Sequence, residues 1–347
     1  MTDGAGARRW DRAGIGLLLL AALAFPLVFT NAAITTYAIF TLMWVAIASA
    51  WNILSGFSGY VSLGHAAFYG IGGYALALMA ESWHLTTGGY ATFAYIPLAG
   101  FIAAVFALPI GWIALRTRKH SFVVITIAFI FLLQLLAFNL QGITAGSTGL
   151  PLPTPPWTGA FFNVPFYYAT LVLAVAAVGV AAWVRRSKFG LGLLAIRDDE
   201  DRALGFGVPT GVYKLAAFVL SAFFIGMAGA LDGYFSSYVY PQFAFNPQTD
   251  ITMAAMSFFG GLGSVAGPIV GAVVLEPVQQ LLSVNYADLA LVVFGLVLLA
   301  VIVFLPAGVV PTLSAWARQR AARSAPTGET GAPAEALAPI RGVGESS

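Results

Sequence analysis

Residues 92–115 read TFAYIPLAGFIAAVFALPIGWIAL, and RTRK follows at once at 116–119. An uncharged apolar run of this length ending on a basic cluster is a bilayer-crossing helix, because a hydrocarbon core of ~30 Å at ~1.5 Å per residue takes roughly 20 residues. Outward from it, the same reading applies to 13–29, 33–54, 61–80, 121–140, 166–184, 212–238 and 286–306. A further apolar region, 250–283, is interrupted by Gly260, Gly261 and Gly263. The composition agrees: of 347 residues 59% are hydrophobic and 9% charged, against ~25% charged in an ordinary soluble domain. The expected fold is an all-α integral membrane bundle of about eight full spans plus a broken or re-entrant region. It divides into an N-terminal tail (1–12), a transmembrane domain (13–306) and a C-terminal tail (307–347). The first span resembles a signal peptide, with Ala22-Leu23-Ala24 as a cleavage-like site, but its apolar character runs on to Phe29 and it is read as an uncleaved helix.

Lysine and arginine set the orientation, since short loops rich in them stay cytoplasmic. Arg8, Arg9 and Arg12 precede the first span; Arg116, Arg118 and Lys119 follow the fourth. Arg185, Arg186, Lys188, Arg197, Arg202 and Lys214 lie between the sixth and seventh, and Arg318, Arg320, Arg323 and Arg341 follow the last. All 16 basic residues thus occupy segments that are cytoplasmic together, with both termini inside. Trp10, Trp83, Trp112, Trp183 and Trp316 stand near helix ends as interfacial anchors. The parity of the spans predicts that 250–283 enters and leaves on the outer side as two short helices or a re-entrant hairpin turning at Gly260 to Ser264; the alternative is a span boundary elsewhere that restores the parity. Irregular backbone at membrane depth is tolerated only where protein buries it or it lines a wet cavity, so Gly260 and Gly263 are candidate pathway positions.

Outside the spans, 185–211 is the longest charged insertion. Its centre, Gly192 to Leu204, is expected to form one short helix that serves either as a docking peg for a soluble partner or as a solvated connector. The segment 141–165 carries five prolines and four glycines and cannot be a regular helix. The tail after about 317, rich in Ala, Gly, Pro and Ser, is expected to lack structure.

Several chemistries are excluded or unsupported. The net charge of +2 gives no reason to invoke nucleic acid, and zero cysteines exclude disulfides and thiol catalysis. The three histidines, His65, His84 and His120, show no zinc spacing; no metal site or cofactor is expected. No G-x-x-x-x-G-K-[ST] or G-x-S-x-G segment occurs, so no catalytic residue is assigned. Polar residues at membrane depth are site candidates by default. Glu276, with Gln279 and Gln280 at i+3 and i+4, either faces a wet vestibule or sits at the outer interface. Asp232 is expected at that interface, and Asn52 and Gln134 are read as interhelical hydrogen-bonding groups. The joint SGFSGYVSLGH at 55–65 breaks a helix and starts another, with Ser62 and His65 on one face. A half-helix start there has free N–H groups suited to receive a carboxylate. His65 itself reads either as a packed or hydrogen-bonded residue or as a ligand contact.

The stretch GYVSLGHAAFYGIGGY at 59–74 resembles the signature region of branched-chain amino-acid ABC transporter permeases of the LivM type. KFG at 188–190 with AIRDDEDRALG at 195–205 is similar to that family's coupling segment, and FGGLGSVAGPIVGA at 259–272 to its late glycine-rich motif. The chain departs from the pattern at Phe206-Gly207-Val208. The resemblance covers roughly 33–306 and implies a permease subunit in the bacterial cytoplasmic membrane. Its implied partners are a second related permease, two cytoplasmic ATP-binding subunits and a periplasmic solute-binding protein. By the same resemblance Gly190, Arg197, Asp198, Asp199, Ala203 and Gly205 carry ATPase coupling. Asn52, Ser62, His65, Gly260, Gly263 and Glu276 are the pathway candidates. The alternative is a self-sufficient secondary transporter or channel with Glu276 and His65 as ion sites; a membrane enzyme stands third.

Overall fold

The computed structural model describes residues 3–83, 88–285, 292, 295–296, 299–300 and 308–324. The chain separates into two compact units, Met1–Thr312 and Leu313–Ser347. In the first, α1 (Asp3–Val28), α2 (Ala32–Ser58), α3 (Ala66–Ser82), α4 (Tyr90–Ala114) and α5 (Lys119–Asn139) come first. A one-turn α6 (Gln141–Thr144), two 3₁₀ turns and strand β1 (Leu150–Pro151) follow. Then come α7 (Asn163–Arg186), α8 (Lys188–Asp198), α9 (Glu200–Gly205) and α10 (Thr210–Ser236). Strand β2 (Tyr238–Val239), a one-turn α11 (Pro241–Ala244), α12 (Pro247–Gly260) and α13 (Ala266–Asn285) complete the order before a helix at Val309–Ser324. The single ribbon is antiparallel and pairs Leu150 with Val239 and Pro151 with Tyr238.

Among the described residues, five helices are long and apolar enough to cross a membrane: α2, α4, α5, α7 and α10. They cover the expected spans 33–54, 92–115, 121–140, 166–184 and 212–238. The expected span 286–306 lies almost wholly outside the described residues. The expected span 61–80 is corrected: α3 begins only at Ala66, and residues 59–65 are not helical. Gly59, at φ 72°, ends α2 in the left-handed conformation that glycine adopts without a Cβ penalty. A second correction concerns the tail, where Val309–Ser324 is helical in part of what was expected to lack structure. Its alanines and arginines are good helix formers.

The bundle is built around α10, which packs along α3 and α4 and against α2; α2 in turn packs on α7 and α13. Small residues bring the backbones together, as expected where dispersion rather than hydrophobic exclusion drives helix contact. A Cβ on Gly72 of α3 would overlap the Gly226 carbonyl of α10. Large side chains such as Phe131, Leu132 and Leu135 of α5 face outward, suited to lipid. The break in the apolar region 250–283 falls at Gly261–Val265, between α12 and α13. Asn246 caps α12, accepting from the Gln248 N–H at 2.9 Å, and Pro247 occupies its first turn, where a missing N–H costs nothing.

Candidate functional site

At one end of the bundle, α8 and α9 form a small platform. Ser187 caps α8, its Oγ accepting from the Gly190 N–H at 3.1 Å, and Gly190 is without a side chain because a Cβ would overlap the Val184 carbonyl. The single helix expected over Gly192 to Leu204 is corrected to two. Asp199 leaves the helical conformation at φ −158°, ψ 110°, and its carboxylate accepts from the Arg202 N–H at 3.0 Å, capping α9. Leu193, Ile196 and Ala203 bury the platform's inner face. Asp198, Asp201, Arg202 and Gly205 stay exposed, together with Leu191, Leu204 and the 89% exposed Phe206.

Two side chains tie the platform to the spans. The Arg197 guanidinium donates to the Gly56 carbonyl near the end of α2 at 2.9 Å. Glu200 ion-pairs at 2.5 Å with Lys214, a residue of α10 that is 4% exposed, and accepts a short hydrogen bond from Tyr60. The Lys214 ammonium also lies 4.3 Å from the Tyr60 ring centre, a cation–π contact. Burial raises the Glu200 carboxyl, but the hydrogen bonds from Lys214 and Tyr60 outweigh it and hold the group below its ordinary range. Lys214, Glu200 and Tyr60 were not singled out from the sequence. The signal available was Lys214 itself, a cation at the first turn of an apolar span.

The pathway candidates do not gather around one cavity. Asn52 of α2 accepts from the Gly263 N–H and donates to the Ser264 carbonyl, both at 2.9 Å, so it clasps the turn between α12 and α13. Gly263 has φ 79°, and a Cβ there would overlap Arg197 and stand 2.9 Å from the Gly56 carbonyl. Gly260 packs against the Gly267 backbone of α13. Ser62 is bound to its own joint: its N–H donates to Ser55 Oγ at 3.2 Å and its carbonyl accepts from the Trp51 indole at 2.8 Å. His65 is fully buried, its ring 5.2 Å from Phe218 and 5.9 Å from Phe68, with both ring nitrogens unpartnered. Glu276 is 5% exposed on α13.

The half-helix start is occupied from within. The buried Asp250 of α12 accepts from the N–H groups of His65 at 2.9 Å and Ala66 at 3.1 Å. The carboxylate expected from a ligand at the start of α3 is therefore supplied by this chain's own residue, and no free N–H remains at those two positions. Asp250 was missed because at the outer edge of an apolar run an acidic residue reads as a boundary; the fold brings it to α3 across 184 positions of chain.

At the opposite end lies a cavity of about 610 Å³ against the ribbon, lined from α3 by Tyr69 and Gly73, from α10 by Asp232, Gly233 and Ser236, and from the ribbon and α11 by Tyr238, Tyr240 and Phe243 among others. Asp232, expected at the outer interface, lines this cavity beside Tyr69.

A family model described as branched-chain amino acid transport system / permease component matches residues 33–302. The permease protein LivM of the high-affinity branched-chain amino acid transport system of Salmonella typhimurium is 27% identical over 320 residues, covering 85% of this chain and 73% of its own. The corresponding permease protein LivH of Escherichia coli is 26% identical over 285 residues, covering 77% of this chain and 90% of its own. The L-arabinose ABC transporter permease protein AraH of Azospirillum brasilense is 26% identical over 42% of this chain and 44% of its own. No solved structure matches. With the family model covering most of the chain and the motifs at 59–74, 195–205 and 259–272 inside the match, the chain belongs to the branched-chain amino acid transport system permease family.

Proposed function

We propose that this permease is the translocation subunit of an ATP-driven importer for branched-chain amino acids or a related small polar solute, and that α8–α9 is its coupling element. The α8–α9 platform carries the reading. It is pinned to α2 and α10 by partly buried polar contacts through Arg197 and Glu200, yet presents Leu191, Leu204 and Phe206 to solvent beside Asp198 and Asp201. Large exposed apolar side chains among charges are what a docking surface offers a soluble partner. In this reading the partner is one of two cytoplasmic ATP-binding subunits, which perform the hydrolysis. A second related permease completes the membrane part, and a periplasmic solute-binding protein delivers the solute.

A displacement of the platform reaches the spans by three routes. Arg197 acts on Gly56 at the end of α2. Glu200 acts on Lys214 of α10 and on Tyr60. From α2, Asn52 holds the turn between α12 and α13, and α12 reaches α3 through Asp250. Rigid elements linked in this way suit alternating access by rigid-body rocking. The orientation follows the basic residues, with both termini and the platform in the cytoplasm of a bacterial inner membrane. About eight full spans then cross it, with α12 and α13 as the re-entrant pair. Gly190, Ala203 and Gly205 shape the platform; Asp199 caps it.

The experiment is uptake of radiolabelled leucine into vesicles carrying this chain with the ATPases, second permease and binding protein, compared with vesicles carrying it alone. ATP-dependent uptake only in the full set is expected. Uptake by the lone chain without ATP overturns the reading in favour of a secondary transporter.

A further inference from the structure

The cavity at the ribbon end brings an acidic group of α10 together with a stacked pair of tyrosines at the ribbon. The one acidic group in its lining is Asp232, which hydrogen-bonds with Tyr69 and forms no ion pair with a cation among the described residues. No lysine or arginine occurs anywhere from 120 to 184 or from 215 to 317. Part of the lining is aromatic: the rings of Tyr238 and Tyr240 stack at 4.4 Å, and Tyr240 is 40% exposed. Ser236 and Ser237 bring hydroxyl donors.

We propose that this cavity is a binding site for a zwitterionic amino acid with an aliphatic side chain, in which Asp232 receives the α-ammonium group and Tyr238 and Tyr240 pack on the side chain. The assignment rests on the importer reading above. A lone carboxylate is a poor metal site, because hard cations gather several oxygen ligands. It is a good ammonium acceptor, because the charge-assisted hydrogen bond is short and roughly twice as strong as a neutral one. Aromatic faces serve both ends of such a ligand: they bury aliphatic surface, and the negative face of the ring quadrupole attracts a cation. The hydroxyls of Ser236 and Ser237 answer the α-carboxylate. The volume of about 610 Å³ falls in the range of small-molecule pockets.

The chain's lack of cysteine makes the test specific. In the full transporter in vesicles, Phe243→Cys places one thiol at the cavity mouth, where Phe243 is 64% exposed, and an impermeant maleimide reads its accessibility. Leucine at about ten times its dissociation constant is expected to slow labelling of this chain about tenfold, because only the unoccupied fraction reacts. 4-Methylpentanoate, the same skeleton without the ammonium, is expected to leave labelling unchanged. Adding Asp232→Asn should abolish protection by leucine, and Asp232→Glu should restore it in part. Equal protection by 4-methylpentanoate, or leucine protection that survives Asp232→Asn, overturns the ammonium site. So does unprotected labelling in a complex whose wild-type form imports leucine. Failure of the wild-type complex to import leucine overturns the importer reading instead, and the site with it.

Discussion

Asp250 shows how much one side chain decides. It joins α12 to the start of α3 by accepting two backbone N–H groups while 1% exposed. Asp250→Ala leaves two buried donors unpaired, so it should lower stability by about 1–3 kcal/mol; Asp250→Asn, which keeps one acceptor oxygen, should cost less. Thermal unfolding of the purified permease in detergent checks both. Gly263 is decided by geometry rather than charge. At φ 79°, with Arg197 and the Gly56 carbonyl where a Cβ would stand, Gly263→Ala must displace the Arg197–Gly56 contact. Uptake per inserted permease should fall severalfold while membrane insertion persists, measured by transport normalised to permease content. His65, prominent in the sequence because polar groups at membrane depth are rare, packs between Phe68 and Phe218 with no hydrogen-bond partner for its ring nitrogens. The feature that captures Asp250 is its backbone, which no side-chain motif announces.

Among the elements, the α8–α9 platform concentrates the coupling proposal. Its outer face is free of internal duties, so Phe206→Glu should leave the fold intact and weaken association with the ATPase subunit, read by co-purification and by loss of ATP-driven uptake. Its inner face depends on Glu200, whose carboxyl the Lys214 and Tyr60 hydrogen bonds hold below the ordinary range against the effect of burial. A depressed carboxylate stabilises the fold above its unfolded pKa and loses that contribution only as pH falls through its folded value. The stability difference between wild type and Glu200→Gln should therefore be flat from neutral pH down to about 5 and close only in stronger acid; chemical denaturation across that range measures it. The break at Asp199 was hidden in the sequence because a run of consecutive charges reads as one solvated helix face. An aspartate followed three residues on by a free N–H is equally a cap, and burial of Ala203 after the break selects the second reading.

The whole molecule has two chemically different ends: Arg197, Glu200, Lys214 and the exposed platform at one, the ribbon, α11 and the Asp232 cavity at the other. In the proposed orientation, read from the basic residues, the first end faces the cytoplasm. Because the chain has no cysteine, the orientation is directly testable with Arg202→Cys on the platform and Ser147→Cys beside the ribbon, both exposed positions. An impermeant maleimide should label position 147 in intact spheroplasts and position 202 only after permeabilisation. The reverse pattern would invert the topology and remove the platform from reach of cytoplasmic ATPases.

The sequence by itself determined the class of solvent, most of the spans, the break in 250–283 and the family. These follow from local quantities: apolar length, the placement of lysine and arginine, glycine interruptions and contiguous motifs. Tertiary structure alone decided what the polar residues do. Asp250 at α3, Asn52 at the α12–α13 turn and Lys214 at Glu200 meet across 184, 211 and 14 positions of chain. Each partner is chosen by which helix end the packing of α2, α3 and α10 brings within hydrogen-bond reach. The Asp232 cavity has the same origin, since α3, α10 and the ribbon each supply one wall and none of them encloses a volume alone.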